Sequence, residues 1–310
     1  MNRGGQVVLL VVWFSTSIFF NYLTPEFQTY LTASLDITMV ELVSASAYGL
    51  VIVPLMGLSI LPSRSLCIPM LKIGVCHLAA CRLFIIAVCG ENKIPVSLAQ
   101  TIRAANPLFV VVVSFLFTGA RYPTAVLLSL IPLLVGFAMA SLSEVHFAAV
   151  GFFCALASVT ILVILSLVSK KAFTAAGKEA PHWAQVQLWS CVIAVLVQMP
   201  TWVFGGGSQR VMAALTAENG SSFVRLIVTN GLMYYAEQVM QFMAIHTYLP
   251  LSYSVIDTVR RLTIVVVTGY FLRGDVFTPT KCAGVLVVCG GAVFYNYAKE
   301  KGQKLATKKD

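Results

Sequence analysis

Residues 95–119, PVSLAQTIRAANPLFVVVVSFLFTG, and residues 250–274, PLSYSVIDTVRRLTIVVVTGYFLRG, align without a gap. Both segments begin at a proline, have serine at the third position and a valine pair further on, and end in an aromatic-rich stretch before a glycine. Each is long and apolar enough to cross a membrane as a helix. The pair therefore predicts an internal repeat in a helical membrane protein.

The composition of the whole chain agrees with a membrane protein. Of its 310 residues, 58% are hydrophobic and only 11% are charged, whereas a soluble domain carries about a quarter charged residues. The apolar residues form long runs rather than an amphipathic period, which is typical of membrane spans. The net charge of +9 comes largely from short loops and the C-terminal tail, so the expected partner is membrane lipid and not nucleic acid.

The apolar runs predict ten spans joined mostly by short loops. The two repeated segments are spans 4 and 9, and an offset of five spans gives them opposite orientations in the membrane. This indicates a five-plus-five inverted repeat, an architecture of secondary transporters. The predicted all-α fold has a first five-helix repeat in residues 1–144, a second in 145–298 and a basic cytosolic tail in 299–310. The predicted spans are approximately 6–23, 39–61, 68–90, 95–118, 122–142, 146–168, 184–205, 222–247, 251–272 and 279–298.

Lysine and arginine near span ends favour the cytoplasmic side. With the N-terminus in the cytosol, eleven such residues lie on cytosolic segments and four lie on the opposite side. We therefore expect both termini to be cytosolic and the tail to be solvated and disordered. The first apolar run is interpreted as a retained span, and no transit peptide precedes it.

Three arginines lie deep within the repeated spans. Arg103 is about eight residues into span 4, and Arg260 and Arg261 are about ten residues into span 9, which places them roughly 12–15 Å deep. Arginine does not give up its proton, and its insertion there costs at least about 2.5 kcal/mol. Such residues generally face a cavity or a partner, and Asp257 shares a helical face with the arginine pair.

The deep charges are not balanced in the sequence. Arg82 of span 3 is a fourth deep cation, and the four cations face only Asp257 and Glu237, so two positive charges remain. A phosphate ester carries about −1.5 to −2 at pH 7, and guanidinium groups bind phosphate in a bidentate way. The imbalance predicts a cavity for a phosphate-bearing ligand. The alternatives are that Asp257 simply neutralises Arg261 and that Arg82 reaches the membrane surface.

Other polar residues in the spans are weaker candidates. Gln100 lies one turn before the span-4 arginine, and Tyr253 lies one turn before Asp257. Tyr234 and Tyr235 of span 8 could bind the hydroxyl groups of a sugar, although polar residues also join helices to one another. No sequence pattern of a hydrolase, metalloprotease or nucleotide-binding enzyme is present, and the eight cysteines lack metal-site spacing. Neither enzymatic activity nor a cofactor or metal is expected.

Several stretches resemble the triose-phosphate translocator family, which belongs with the nucleotide-sugar transporters in the drug/metabolite transporter superfamily. Residues 95–107 resemble its PVSFxQTIKxxxP stretch, and residues 250–261 resemble its PxSYSVxxxxKR stretch. Residues 129–143 and 149–152 resemble its S-L-x-P-x-x-x-G-x-x-x-A-S-L pattern and the start of its sixth span. The similarity covers most of the chain and is specific in spans 4–6 and 9.

The resemblance implies a strict antiporter that exchanges phosphorylated sugars, phosphoenolpyruvate or related compounds for inorganic phosphate by alternating access. The family's phosphate-binding residues fall on Arg103, Arg260 and Arg261, with arginine in place of both lysines. A substrate-binding tyrosine of span 8 falls on Glu237, close to two other tyrosines. The family's span-3 histidine and threonine have no counterpart around residues 84–87, which sets this chain apart from plastid triose-phosphate carriers.

Alternatives remain for function and placement. One is an antiporter of nucleotide sugars and nucleoside monophosphates, and another is a proton-coupled metabolite exporter with Glu237 or Asp257 as proton carrier. A membrane scaffold without transport activity is a third, and a homodimer is left open. Without a transit peptide, the expected location is an intracellular membrane of the endoplasmic reticulum or Golgi. A plastid-type membrane is the alternative if a transit peptide was removed.

Overall fold

A computed structural model describes residues 3–61, 66–91, 93–119, 124–142, 148–175, 181–247, 250–272 and 278–307. The described part is helical and contains no strand. Two short segments differ from the α-helix: a 3-10 helix at Thr24–Thr29 and a π-helix at Val265–Leu272. The α-helices are α1 Arg3–Leu23, α2 Ser34–Leu55, α3 Cys67–Cys89, α4 Val96–Ala104, α5 Asn106–Thr118, α6 Thr124–Leu128, α7 Leu130–Leu142, α8 Ala149–Ala175, α9 Trp183–Phe204, α10 Gly207–Thr216, α11 Gly220–Thr247, α12 Pro250–Ile264 and α13 Pro279–Thr307.

Within the residues that the structure describes, five segments are long and apolar enough to cross a membrane: those containing α1, α2, α3, α8 and α9. The pair α4 and α5 is a sixth candidate, bent by 48° at a short break. The break has a local cause, because Pro107 near the start of α5 lacks the backbone N–H that would continue the hydrogen bonding of α4 across Ala105. The chain is thus a helical integral membrane protein, and ten spans remain a prediction.

The outer surface of the bundle carries large apolar side chains, such as Val11, Leu55 and Phe204. Such a surface suits a lipid environment. Between the helices, small residues allow close packing: a Cβ on Gly136 of α7 would lie 2.6 Å from the backbone nitrogen of Val288 in α13. α7 and α13 therefore pack with their backbones close together, as small residues permit in membrane proteins.

The ends of α2, α3, α8 and α11 that lie farthest from the cytosol in the predicted topology form one apolar core. It includes Phe27, Ile37, Val88, Val159 and Phe223, all buried. At the same end, Arg210 of the short helix α10 forms a bidentate ion pair with buried Asp36, with Nε–Oδ2 and Nη2–Oδ1 distances of 2.6 and 2.9 Å. This end of the bundle is closed.

The C-terminal tail differs from the expectation. α13 continues past residue 298 to Thr307, although the tail was expected to be disordered. Lysine, glutamate, glutamine and alanine in 299–307 are good helix formers, so the helix extends from the preceding apolar segment. The predicted boundary between the repeats, at residues 144 and 145, lies outside the described residues.

Candidate functional site

A cavity of about 190 Å³ is lined by residues of α1, α2, α3, α4, α5, α8, α11 and α12. Six of the nine site residues predicted from the sequence line it: Arg103, Tyr234, Glu237, Asp257, Arg260 and Arg261. The cavity extends to Ser169 and Phe173 near the C-terminal end of α8 and to Gln241 in the last part of α11. It thus runs away from the closed end of the bundle.

Arg260 is occupied by protein groups on several sides. Its Nη1 donates to Glu237 Oε1 at 2.6 Å and to Ser17 Oγ at 2.8 Å, and its Nη2 donates to Asp257 Oδ1 at 2.7 Å. Its guanidinium carbon lies 4.6 Å from the ring centroid of Trp13, within the range of a cation–π contact. Arg260 is 3% exposed, and through these contacts it joins α12 to α1 and α11.

Arg261 shares a carboxylate with Arg260. Its Nε donates to Asp257 Oδ2 at 2.9 Å, so that Asp257 gives one oxygen to each arginine. Its Nη1 donates to Gln100 Oε1 at 3.4 Å. The Gln100 amide in turn donates to Asn21 Oδ1. Gln100 is 1% exposed and does not line the cavity, so it contacts Arg261 from behind and helps to orient it.

Arg103 has a different environment from the arginine pair. Its guanidinium carbon lies 3.6 Å from the ring centroid of Phe84. Its Nε is buried without a hydrogen-bond partner, and no acidic side chain in the described part of the chain forms an ion pair with it. Arg103 is thus the cavity arginine whose charge is not matched by an adjacent carboxylate.

The two tyrosines of span 8 differ in their surroundings, because only Tyr234 lines the cavity. The Tyr234 hydroxyl contacts His77 Nε2 at 2.7 Å and Cys81 Sγ at 3.2 Å, while His77 Nδ1 contacts Ser190 Oγ at 3.0 Å. Tyr234 therefore forms an ordered wall of the cavity. Tyr235 does not line the cavity; it packs beside Tyr48 with ring centroids 6.4 Å apart. Tyr253 lies in α12, and its side chain is outside the described part.

Glu41 of α2 is a cavity residue that the sequence did not reveal. It is 4% exposed, and its Oε1 accepts hydrogen bonds from Thr24 Oγ1 and Asn230 Nδ2, both at 2.9 Å. The predicted span began at residue 39, which placed Glu41 at a membrane surface. α2 begins at Ser34, so Glu41 lies about two turns inside the helix.

The charge surplus expected from the sequence is not found among the described residues that line the cavity. Glu41 adds a carboxylate, and Arg82 does not line the cavity. Three guanidinium groups therefore face three carboxylates, because the cavity contains Arg103, Arg260 and Arg261 together with Glu41, Glu237 and Asp257. A ligand therefore enters a cavity whose formal side-chain charges, among the described lining residues, sum to zero.

Residues 5–296 match the model of the Triose-phosphate Transporter family. The chain is 27% identical over 306 residues to phosphoenolpyruvate/phosphate translocator 3, chloroplastic, of Oryza sativa subsp. japonica, covering 96% of this chain and 75% of the relative. It is 30% identical over 221 residues to glucose-6-phosphate/phosphate translocator 1, chloroplastic, of Arabidopsis thaliana, covering 69% and 55%. A solved crystal structure with 15% identity aligns with a TM-score of 0.57 and covers 96% of this chain and 99% of its own, which shows a shared fold.

Proposed function

Because the chain belongs to the Triose-phosphate Transporter family, we propose that it is an antiporter that exchanges phosphorylated organic anions for inorganic phosphate. The match of the family over residues 5–296 carries this proposal. The named relatives are phosphate translocators of phosphoenolpyruvate and glucose 6-phosphate. The chain spans three quarters of the length of the rice relative and about half of that of the Arabidopsis relative, so the substrates of this chain are part of the proposal.

The proposed fold is a ten-span inverted repeat, with residues 1–144 and 145–298 as its halves. In such a repeat, α1 corresponds to α8, α2 to α9, α3 to α11, α4–α5 to α12 with the π-helix, and α6–α7 to α13. Exchanging the two halves therefore swaps the members of each of these pairs. The main packing pairs fit this exchange: α2–α9, α4–α12 and α7–α13 map onto themselves, and α3–α8 maps onto α11–α1. This symmetry supports a repeat whose halves meet at the cavity.

In the proposed site, Arg103 from one half and Arg261 from the other bind the phosphate. The positive charge of Arg103 is more available to a ligand than that of Arg261, because no described carboxylate forms an ion pair with Arg103. Arg261 can turn one of its remaining donors to the ligand while Asp257 and Gln100 hold it. Arg260 acts as a positioning residue, because Glu237, Asp257 and Ser17 already take its donors.

The proposed transport cycle is alternating access around this site. The apolar core near Phe27 and Phe223 closes one end, and the cavity extends toward the C-terminal end of α8. When the site is empty, closing the cavity would leave Arg103 in a dry, low-dielectric space without a counter-charge, which is costly. Return of the unloaded carrier is therefore suppressed, and exchange is obligatory.

The proposed location is an intracellular membrane with both termini in the cytosol. The endoplasmic reticulum or Golgi was the expectation from the sequence, whereas the names of the relatives, which are chloroplastic, favour a plastid-type membrane. A fluorescent fusion viewed with organelle markers separates these. Protease protection of tags at the two termini tests the topology, and cleavage of both tags from the cytosolic side is the expected result.

The transport activity is tested with purified protein in liposomes and labelled phosphate outside. The liposomes are preloaded with phosphate, glucose 6-phosphate, a nucleoside monophosphate or buffer alone. Uptake into phosphate- and glucose 6-phosphate-loaded liposomes, and none into empty ones, is expected. Uptake driven mainly by the nucleoside monophosphate would favour a nucleotide-sugar antiporter, and no uptake under any loading would contradict the proposal.

A further inference from the structure

Two charged side chains in the cavity lack a partner of opposite charge within the described part of the chain. One is Arg103, which is stacked on Phe84. The other is Glu41, for which no ion pair with a described basic residue is found. The remaining cavity charges neutralise one another, since Glu237 and Asp257 pair with Arg260 and Arg261. The cavity therefore presents one unmatched cation and one unmatched carboxylate.

The surroundings of Glu41 hold the carboxylate in place without neutralising it. Thr24 and Asn230 both donate to Oε1, and Oε2 has no hydrogen bond to a described residue. Both donors are uncharged, so the group keeps its capacity to accept a hydrogen bond from a cation. Glu41 also lines the cavity, so its carboxylate borders the space that a ligand would occupy.

Aromatic rings lie in the same cavity as this carboxylate. Phe20 and Tyr234 are stacked with ring centroids 5.0 Å apart, and both line the cavity. The Tyr234 hydroxyl is tied to His77, which keeps the ring in place. Aromatic faces attract cations through their quadrupoles. A carboxylate beside aromatic rings is an environment that favours an ammonium group.

The net charge of the cavity with a phosphate bound also favours an ammonium group on the ligand. A phosphate ester brings a charge of about −1.5 to −2 into a cavity where the formal charges of three arginines and three carboxylates sum to zero. In a low-dielectric cavity, such an excess of negative charge is unfavourable. A positive group on the ligand offsets part of this excess when it lies at Glu41.

We infer that the preferred organic substrate carries an ammonium group in addition to its phosphate, with the phosphate at Arg103 and Arg261 and the ammonium group at Glu41. This inference rests on the proposed antiport of organic phosphates and names the substrate class of that site. Glu41 is then the residue that selects among organic phosphates, and Arg103 is the residue that all of them use.

Two matched pairs of phosphates test the inference in the liposome exchange assay. Glucosamine 6-phosphate differs from glucose 6-phosphate by an ammonium group in place of one hydroxyl group, and phosphoethanolamine differs from 2-hydroxyethyl phosphate in the same way. Phosphoethanolamine and 2-hydroxyethyl phosphate form the smaller pair, which allows the comparison to be made even if the cavity is too small for the sugar phosphates. For at least one pair, we expect kcat/KM to be about tenfold higher for the ammonium member, because a hydrogen bond to a charged group is stronger than one between neutral groups.

The variant Glu41→Gln keeps the shape of the side chain and removes its charge. It should reduce exchange of the ammonium member more than exchange of the hydroxyl member, so that the preference within the pair is lost. Glu218→Gln makes the same chemical change on an exposed residue outside the cavity and should leave the preference intact.

The results separate this inference from the proposed function. Equal exchange of both members of each pair by the native protein would overturn the inference and leave phosphate antiport standing. A preference that survives in Glu41→Gln would overturn the assignment of the ammonium site. Absence of exchange with every phosphate, including inorganic phosphate, would overturn the proposed function itself.

Discussion

The guanidinium carbon of Arg103 lies 3.6 Å from the centre of the Phe84 ring, so the cation of one helix rests on an aromatic face of another. Arg260, which also stacks on an aromatic ring, has two carboxylates as well. Arg103 instead relies on the Phe84 ring among its described neighbours. This contrast separates a cation available to a ligand from one used in the architecture.

Replacing Phe84 by leucine should weaken phosphate binding. A cation–π contact contributes about 0.5–2 kcal/mol, so loss of the ring should raise the KM for phosphate roughly 2- to 30-fold. Initial rates of phosphate–phosphate exchange measure this. Phe153→Leu is the matched control, because Phe153 is exposed on the outer surface, and it should exchange normally. An unchanged KM in Phe84→Leu would contradict a role for the ring.

Replacing Arg103 or Arg261 by glutamine should abolish exchange and leave the protein folded. Each variant loses one donor group of the proposed phosphate site, whereas Arg103→Lys keeps the charge and should retain part of the activity. Exchange assays and thermal unfolding of the same preparations provide the two readouts. Normal transport by Arg261→Gln would show that the phosphate does not bind there.

Replacing Arg260 by glutamine should instead destabilise the protein. The change leaves Glu237 and half of Asp257 buried without their cation, and breaking a buried ion pair costs about 3–5 kcal/mol. We expect a clearly lower Tm than for Arg103→Gln in the same detergent. A Tm equal to that of the native protein would argue that Arg260 is not an architectural residue.

A residue pair in α13 tests the close packing against α7. A Cβ added at Gly291 would lie 2.8 Å from the backbone nitrogen of Leu133, whereas none of the surrounding atoms comes within 4 Å of one added at Gly290. Gly291→Ala should lower the Tm by several degrees. Gly290→Ala should leave it unchanged or raise it slightly, because alanine favours a helix. Equal Tm values for the two variants would contradict the packing.

Replacing Asp36 by asparagine should loosen the closed end of the bundle. The variant weakens the ion pair with Arg210, and Cys89 lies fully buried in the apolar core of that end. We expect faster modification of Cys89 by a maleimide, mapped by mass spectrometry of the peptide that contains it. Modification of Cys191, which is buried in a different cluster, serves as the internal reference. Parallel changes at both cysteines would indicate general unfolding instead.

Much of the architecture could be predicted from long apolar runs, and the deep arginines could be recognised because charge is rare in such runs. Contacts between distant helices could not. Phe84 is one of many aromatic residues in apolar segments, and only the packing of α3 against α4 shows that Arg103 lies on it. The period of a helix likewise could not tell which of two adjacent tyrosines faces the cavity, since successive residues point about 100° apart.

Glu41 was missed because of where the helix starts. An error of five residues in the start of a span moves a residue by about 7.5 Å along the axis, which is enough to carry a side chain from the membrane surface to the interior. The predicted span began at Met39, whereas α2 begins at Ser34, and Asp36 in its first turn is buried and paired with Arg210. Apolar character alone could not locate this start, because the first turn of α2 contains an acidic residue whose partner is distant in the sequence.

Asp257 divides its two oxygens between neighbouring arginines. We expect that a ligand that draws Arg261 away leaves the whole negative charge of Asp257 to Arg260 in the same helix, which weakens the hold of Arg260 on Glu237 of α11 and Ser17 of α1. When the ligand leaves, Arg261 returns to Asp257 and Arg260 regains those contacts between helices. Through one shared carboxylate, occupancy of the cavity is thus coupled to the contacts of α12 with α1 and α11.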